Sequence, residues 1–259
     1  KCTRCLCKPP PMTAEIYQTI NGVPLKIHIF APDAPAPRPA VIFYHGGGWT
    51  GGSPEQFFPH AQHFAARGLM AFSVQYRLKR ERDDTTAGEA VARAKSAYRW
   101  VRANADRLGV DARRIVLSGS SAGGHLAAAV ALLPDEGEPC DPAAMVLFNP
   151  VLDISPTGYY PPDAASMNPP LEVFSVCNPK LITANAPVTL IFHPVADTLV
   201  SIQHSERFTA LMTAAGARCR LIRVEGANHG YIYSVPQYPQ AVASLHDMDR
   251  FLVELGYLR

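Results

Sequence analysis

From residue 40 onward, short and chiefly apolar runs alternate with longer segments of helical periodicity, and few architectures accommodate that rhythm. The runs at 40–44, 69–75, 114–118, 145–148, 188–193 and 220–224 mostly lack the polar alternation of a strand with one wet face, so they read as strands covered on both sides. Between them, the segment 86–108 places Ala90, Val91, Ala94, Ala97, Tyr98, Val101 and Ala105 at spacings of three and four, with Arg93, Lys95, Arg99 and Arg102 in the gaps. That is the pattern of one amphipathic helix, and 201–215 and 240–255 behave in the same way. Upstream, the β-prone runs 17–20 and 25–30 flank Asn21-Gly22, a hairpin signal because both residues tolerate positive φ. The expected fold class is α/β: a mostly parallel central sheet with antiparallel N-terminal strands and helices on both faces.

With 259 residues the chain could form one large domain or two small ones, and at that length about three quarters of the unfolded surface can be buried. We expect a Cys- and Pro-rich tail over 1–14 and a single domain over 15–259. The stretch 153–186, rich in Pro, Asn and Tyr and without periodicity, breaks the rhythm and reads as a loop insertion over a site. Lys+Arg 24 against Asp+Glu 22 leaves a net charge of +2, too little field for nucleic acid or an acidic membrane surface. No apolar stretch approaches the roughly 20 residues that span a bilayer, and Lys1 has no apolar signal region behind it. A soluble chain with a processed or truncated start is expected, its compartment and oligomeric state open. Cys2, Cys5 and Cys7 crowd the tail, but no second ligand group lies at zinc-like spacing, so no metal is expected there. Cys140, Cys177 and Cys219 are scattered.

Chemistry concentrates in a few glycine-rich places. Gly119-Ser120-Ser121-Ala122-Gly123 follows the run 114–118 and precedes the Ala-rich helical segment 124–133. A G-x-S-x-G sequence between strand and helix holds its serine on a strained turn, and the flanking glycines remove the Cβ atoms that would clash there. Ser121 is therefore the expected nucleophile; Ser120 sits at the x position. His45-Gly46-Gly47-Gly48-Trp49 follows the run 40–44. Consecutive glycines can offer unobstructed N–H groups to an oxyanion, and Gly47, Gly48 and Ala122 are the expected donors. A phosphate loop would want Gly-Lys-Ser/Thr entering a helix, and Trp49, Thr50, Gly51 and Gly52 stand there instead. His45 precedes the donors and reads as a residue that holds the loop.

A serine needs a base, and the base needs an acid to set its tautomer. Of nine histidines, His229 lies in Gly226-Ala227-Asn228-His229-Gly230, directly after the last expected strand. His125 and His193 read as core or supporting residues, and His28, His60, His63, His204 and His246 as residues on strand or helix surfaces. Asp197 follows the run 188–193 in a short loop; Asp153 follows an earlier strand and is its competitor. The order Ser121, Asp197, His229 agrees with that of α/β hydrolases.

On these motifs the sequence resembles the α/β-hydrolase superfamily, and within it the hormone-sensitive-lipase-like esterases and the bacterial acetyl-esterase and feruloyl-esterase group. The resemblance rests on His45-Gly46-Gly47-Gly48-Trp49, Gly119-Ser120-Ser121-Ala122-Gly123-Gly124, Asp197 before Val200, and Asn228-His229-Gly230. It implies a serine carboxylesterase with Ser121, Asp197 and His229 as triad and Gly47, Gly48 and Ala122 as oxyanion donors. Lipase-like members often carry a long N-terminal cap, and only 39 residues precede the first apolar run here, which favours short acyl groups. Acetyl or feruloyl esters of plant carbohydrate are the expected substrates, with Trp49, Tyr159 and Tyr160 as candidate walls of the binding site and no cofactor or metal. The alternatives are an amidase, arylformamidase or peptidase on the same fold, and a non-catalytic binding protein that retains the fold.

Overall fold

A computed structural model describes residues 11–78, 87–134, 136–155 and 171–259. Its strands are β1 (Met12–Ile20), β2 (Val23–Phe30), β3 (Arg38–Tyr44), β4 (Met70–Val74), β5 (Val110–Ser120), β6 (Ala144–Phe148), β7 (Val188–Pro194) and β8 (Cys219–Val224). They form a single 8-stranded sheet in the order β1-β2-β4-β3-β5-β6-β7-β8. β1 pairs antiparallel with β2, and β2 antiparallel with β4; every pairing from β4 to β8 is parallel. The hairpin turns at Asn21 and Gly22, whose φ values of 51° and 79° are those the two-residue turn requires.

The apolar runs explain the centre of the sheet. Ala40, Ile42 and Tyr44 of β3 enter one core, while Val41 and Phe43 enter the other. A strand of period two buried on both faces has no solvent-facing position left, and every residue of β4 and β6 is buried. Each fully buried Val, Ile, Leu or Phe contributes about 1.5–3 kcal/mol relative to its exposed state, so the centre is also where most of the driving force lies.

Helices cover both faces. α1 (Phe58–Ala66) and α6 (Pro239–Glu254) pack into the core that holds Val41 and Phe43. α2 (Ala87–Ala103), α4 (Ala122–Leu132) and α5 (Gln203–Ala214) pack into the other core, and α3 (Ala105–Leu108) caps it with Ala105. The single helix expected over 86–108 is therefore two pieces. At Asn104 φ opens to −101° and the side-chain amide joins the backbone N–H on the Trp100 carbonyl, at 2.9 and 3.0 Å, a local side-chain-to-backbone bond that asparagine typically makes. α1 has no counterpart among the helices expected from periodicity. His60 occupies its buried face beside Ala61 and Phe64, and a histidine there reads as a break in the apolar stripe. His60 and His204, expected on helix surfaces, are buried, at 0% and 6% exposure. The insertion joins β6 to β7; its described parts hold a short 3-10 helix, Leu171–Phe174, and the buried residues Val176 and Ile182. Cys140, Cys177 and Cys219 are free thiols, and the tail cysteines lie outside the described residues.

Candidate active site

Four parallel strands deliver their carboxyl ends to one edge of the sheet. The register aligns Tyr44 with Gly119, Ser120 with Phe148, Phe148 with Phe192, and Pro194 with Val224. The loops after β3, β5, β7 and β8 thus leave side by side, at the edge where open α/β sheets bind ligands. They carry, in order, the glycine loop, Ser121, Asp197 and His229.

Ser121 stands between β5 and α4 with φ 56° and ψ −123°, a conformation that costs about 1–3 kcal/mol and persists only when its surroundings impose it. They do. A Cβ at Gly123 would run into the carbonyl oxygens of Tyr44 and His45, and one at Gly119 into those of Gly123 and Tyr44. The strand, the turn and the helix can therefore approach only with glycine at both places. The Ser121 carbonyl is held by the N–H groups of His125 and Val151, at 3.0 and 3.2 Å, and its own N–H donates to Phe148.

The structure brings Ser121, His229 and Asp197 into one hydrogen-bonded line. The Ser121 Oγ lies 3.0 Å from His229 Nε2, and His229 Nδ1 lies 2.7 Å from Asp197 Oδ2. A carboxylate only accepts, so Nδ1–H donates to it and Nε2 is left to accept from the serine hydroxyl. Asp197 Oδ1 accepts from the N–H groups of Leu199 and Val200 at 2.9 and 3.0 Å. Burial would raise this carboxyl; the His229 bond and those two N–H groups outweigh it and hold Asp197 below the usual carboxylate range. His193 stands behind. Its Nε2–H donates to the Val200 carbonyl at 2.9 Å, its Nδ1 accepts from Ser205 at 2.7 Å, and burial lowers its pKa, so it packs as a neutral imidazole 3.7 Å from Asp197.

Gly47, Gly48 and Trp49 line, with Ser121 and His229, a cavity of about 380 Å³. Among the described residues no hydrogen bond occupies the N–H of Gly47, Gly48 or Ala122, the first residue of α4. The Gly46 N–H, by contrast, is taken by Gln56 Oε1 and Tyr233 Oη, both at 3.0 Å. His45 is buried and stacks on Tyr76 at 4.2 Å, while the Tyr76 hydroxyl donates to the His45 carbonyl; this ring holds the loop. Trp49, 7% exposed with φ 59°, packs edge-on against His125 as well as lining the cavity. Tyr159 and Tyr160 lie outside the described residues.

Asp153, the competing acid, is placed elsewhere. It pairs with Arg207, its N–H donates to His204 Nδ1, and it fastens the loop after β6 to α5. His125 Nε2–H donates to the Phe174 carbonyl and anchors the insertion. Gln56, Asn149, Val151, Leu199 and Tyr233 had no distinguishing sequence signal beyond the proximity of Leu199 to Asp197 and of Tyr233 to His229. A site of this geometry can take a proton from a hydroxyl, place the resulting oxygen on a carbonyl carbon, and face the developing charge with N–H groups.

A family model described as alpha/beta hydrolase fold matches residues 41–172. Carboxylesterase NlhH of Mycobacterium tuberculosis is 34% identical over 147 residues, covering 51% of this chain and 43% of the relative. Ethyl acetate hydrolase of Pseudomonas putida is 34% identical over 142 residues, covering 53% of this chain and 44% of that one. These matches span less than half the length of the curated relatives. Esterase 2 of the planctomycete Thermogutta terrifontis, solved with propionate bound, superposes with a TM-score of 0.87 at 37% identity over 97% of each chain. The chain belongs to the alpha/beta hydrolase fold family, and the relatives it resembles in sequence and in structure are esterases.

Proposed function

We propose that this chain is a serine carboxylesterase that removes short acyl groups through an acyl-enzyme on Ser121. The observation that carries the reading is the unbroken line from Asp197 through His229 to Ser121, at 2.7 and 3.0 Å, beside a cavity with unoccupied backbone N–H groups. His229 takes the Ser121 proton as Oγ bonds to the ester carbonyl carbon. The N–H groups of Gly47, Gly48 and Ala122 receive the oxyanion, each contributing about 2.7–4 kcal/mol to the barrier if lost. The proton on His229 passes to the departing alkoxide, which leaves as alcohol. Water, deprotonated by the same imidazole, then attacks the acyl-enzyme; the acyl carbon–Oγ bond breaks, His229 returns the proton to Ser121 Oγ, and the acid leaves. Side chains and backbone supply every step of this chemistry.

Short acyl groups suit the cavity, and the relatives' names point the same way: one hydrolyses ethyl acetate, and the Thermogutta esterase has been solved with propionate and with butyrate. Acetyl esters come first on this reading, with feruloyl esters of plant carbohydrate as the larger alternative. An amidase reading is favoured by one observation, the 35% identity over 118 residues with bovine arylacetamide deacetylase. Comparing kcat/KM on p-nitrophenyl acetate and p-nitroacetanilide decides between them. The central test is Ser121→Ala, expected to lower kcat on p-nitrophenyl acetate by about a millionfold, with paraoxon adding a diethylphosphoryl group to Ser121 in the unaltered protein alone. Unchanged turnover in the variant, or no label on Ser121, would refute the reading.

A further inference from the structure

Tyr233 lies four residues beyond His229, in the short 3-10 helix Tyr231–Ser234, and it faces the same cavity as Ser121. Its place is set locally, since the Tyr233 N–H donates to the Gly230 carbonyl at 3.1 Å and its ring packs edge-on against Phe57 at 5.5 Å. From there the hydroxyl reaches out of its own loop and into two others. It accepts the Gly46 N–H at 3.0 Å, and the Ser120 side chain lies close enough to favour its charged form. Burial raises the phenol to about 12 against the pull of these two neighbours, so it stays a neutral hydroxyl at any working pH.

These contacts join parts of the site that are far apart in the chain. The Gly46 peptide immediately precedes the two glycines whose N–H groups open into the cavity. Ser120 precedes the nucleophile, and its Oγ accepts from Asn149 Nδ2 at 3.2 Å. That same amide nitrogen lies 3.3 and 3.5 Å from the two ring nitrogens of His229. Tyr233, Ser120 and Asn149 therefore form a polar row from the glycine loop to the side of the imidazole, where the Asn149 amide packs against the ring without entering the Asp197–His229–Ser121 line. A peptide whose N–H is fixed cannot rotate freely, and this restraint on Gly46 adds to those on the next two peptides, where His45 Nδ1 holds the Gly46 carbonyl at 2.8 Å and the Gly47 carbonyl accepts from the N–H groups of Thr50 and Gly51 at 3.1 and 2.9 Å.

We infer that Tyr233 is a positioning residue: its hydroxyl, its ring seated on Phe57, fixes the Gly46 peptide, thereby helps aim the Gly47 and Gly48 N–H groups at the ester carbonyl oxygen, and braces that loop against the loop of His229. The inference rests on the esterase reading. Gln56 holds the same N–H from the other side, which keeps the loop in place when the phenol oxygen is removed but with one restraint fewer on the Gly46 N–H.

Tyr233→Phe tests this, because it retains the ring and its packing on Phe57. On p-nitrophenyl acetate we expect kcat to fall by about 10- to 100-fold, less than the full loss of one oxyanion donor. KM should stay within about twofold and the shape of the pH profile unchanged, with the thermal midpoint lowered by only a few degrees for the lost hydrogen bond. The rate of Ser121 phosphorylation by paraoxon, which also develops charge on an oxygen facing these N–H groups, should fall in parallel. A wild-type kcat, or a loss confined to KM, would overturn the positioning role. If Tyr233→Phe does not fold, Ser120→Ala replaces it, with a fall in kcat of about threefold or more expected at constant KM and an unchanged kcat overturning the inference. Wild-type protein that hydrolyses no p-nitrophenyl ester overturns the esterase reading and this one together; wild-type turnover with an unaffected Tyr233→Phe overturns the positioning alone.

Discussion

Asp197 illustrates how one side chain can serve a loop and a proton at once. One of its oxygens accepts two backbone N–H groups of its own turn, and the other faces His229. The substitution Asp197→Asn separates these duties. A carbonyl oxygen remains for Leu199 and Val200, so the turn survives, but an amide NH₂ now faces Nδ1 and favours the tautomer that cannot accept from Ser121. We expect kcat on p-nitrophenyl acetate to fall by about 10⁴-fold, with a thermal midpoint within about 5 °C of wild type. A variant that keeps more than a tenth of wild-type turnover would show that the imidazole does not depend on this carboxylate. Asp153 shows the contrast. It too is an acid after a strand, yet its pairing with Arg207 and the bond from its N–H to His204 spend it on anchoring a loop.

At the scale of elements, the turn at Ser121 is a steric problem solved by two glycines. α4 crosses the end of β3 so closely that the Tyr44 and His45 carbonyl oxygens occupy the place of a Gly123 side chain. Gly48 differs: its φ of +61° is unusual for other residues, but the nearest atom to an added Cβ is a Thr50 side-chain oxygen at 3.8 Å. Gly123→Ala should therefore destabilise the fold by about 3 kcal/mol or more, because backbone must move, whereas Gly48→Ala should cost roughly 1–2 kcal/mol for its left-handed conformation alone. Urea unfolding midpoints of the two variants measure the difference, and equal losses would contradict the packing argument. The same scale explains where periodicity misled. The helix expected over 86–108 breaks at Asn104, where φ opens to −101° and the side-chain amide adds a second bond to the Trp100 carbonyl, a contact with no signature in apolar spacing. α1 escaped notice because His60 looks polar in a sequence while its ring lies among Phe43, Phe57 and Phe148.

For the whole molecule, buried histidines set the acid limit. Burial holds the pKa of His60 at about 3, and that of His125 at about 4 despite its bond to the Phe174 carbonyl. In the unfolded chain both would titrate near 6.5. Below that pH the unfolded state takes up protons that the native state refuses. Stability is therefore full above about pH 6.5 and declines as pH falls toward 3–4, by about 1.4 kcal/mol per pH unit for each of these histidines. Thermal midpoints between pH 7.5 and 5 should show this slope, and His60→Leu should make it shallower whatever its effect at pH 7.5; an unchanged slope would mean that His60 does not contribute. Sequence alone determined the alternation of strand and helix, the hairpin at Asn21-Gly22 and the serine turn, because each is written in a few adjacent residues: apolar runs, helical spacing, residues that tolerate positive φ, glycines where backbones cross. Local signals also singled out Asp197 and His229 as residues in loops after strands. Only the tertiary structure decided that they stand in line with Ser121, 108 residues before His229, and that Tyr233, Gln56 and Asn149 join them. The order of parallel strands puts those loops along one edge, and the directions of side chains crossing between loops depend on that packing rather than on any neighbour in the chain.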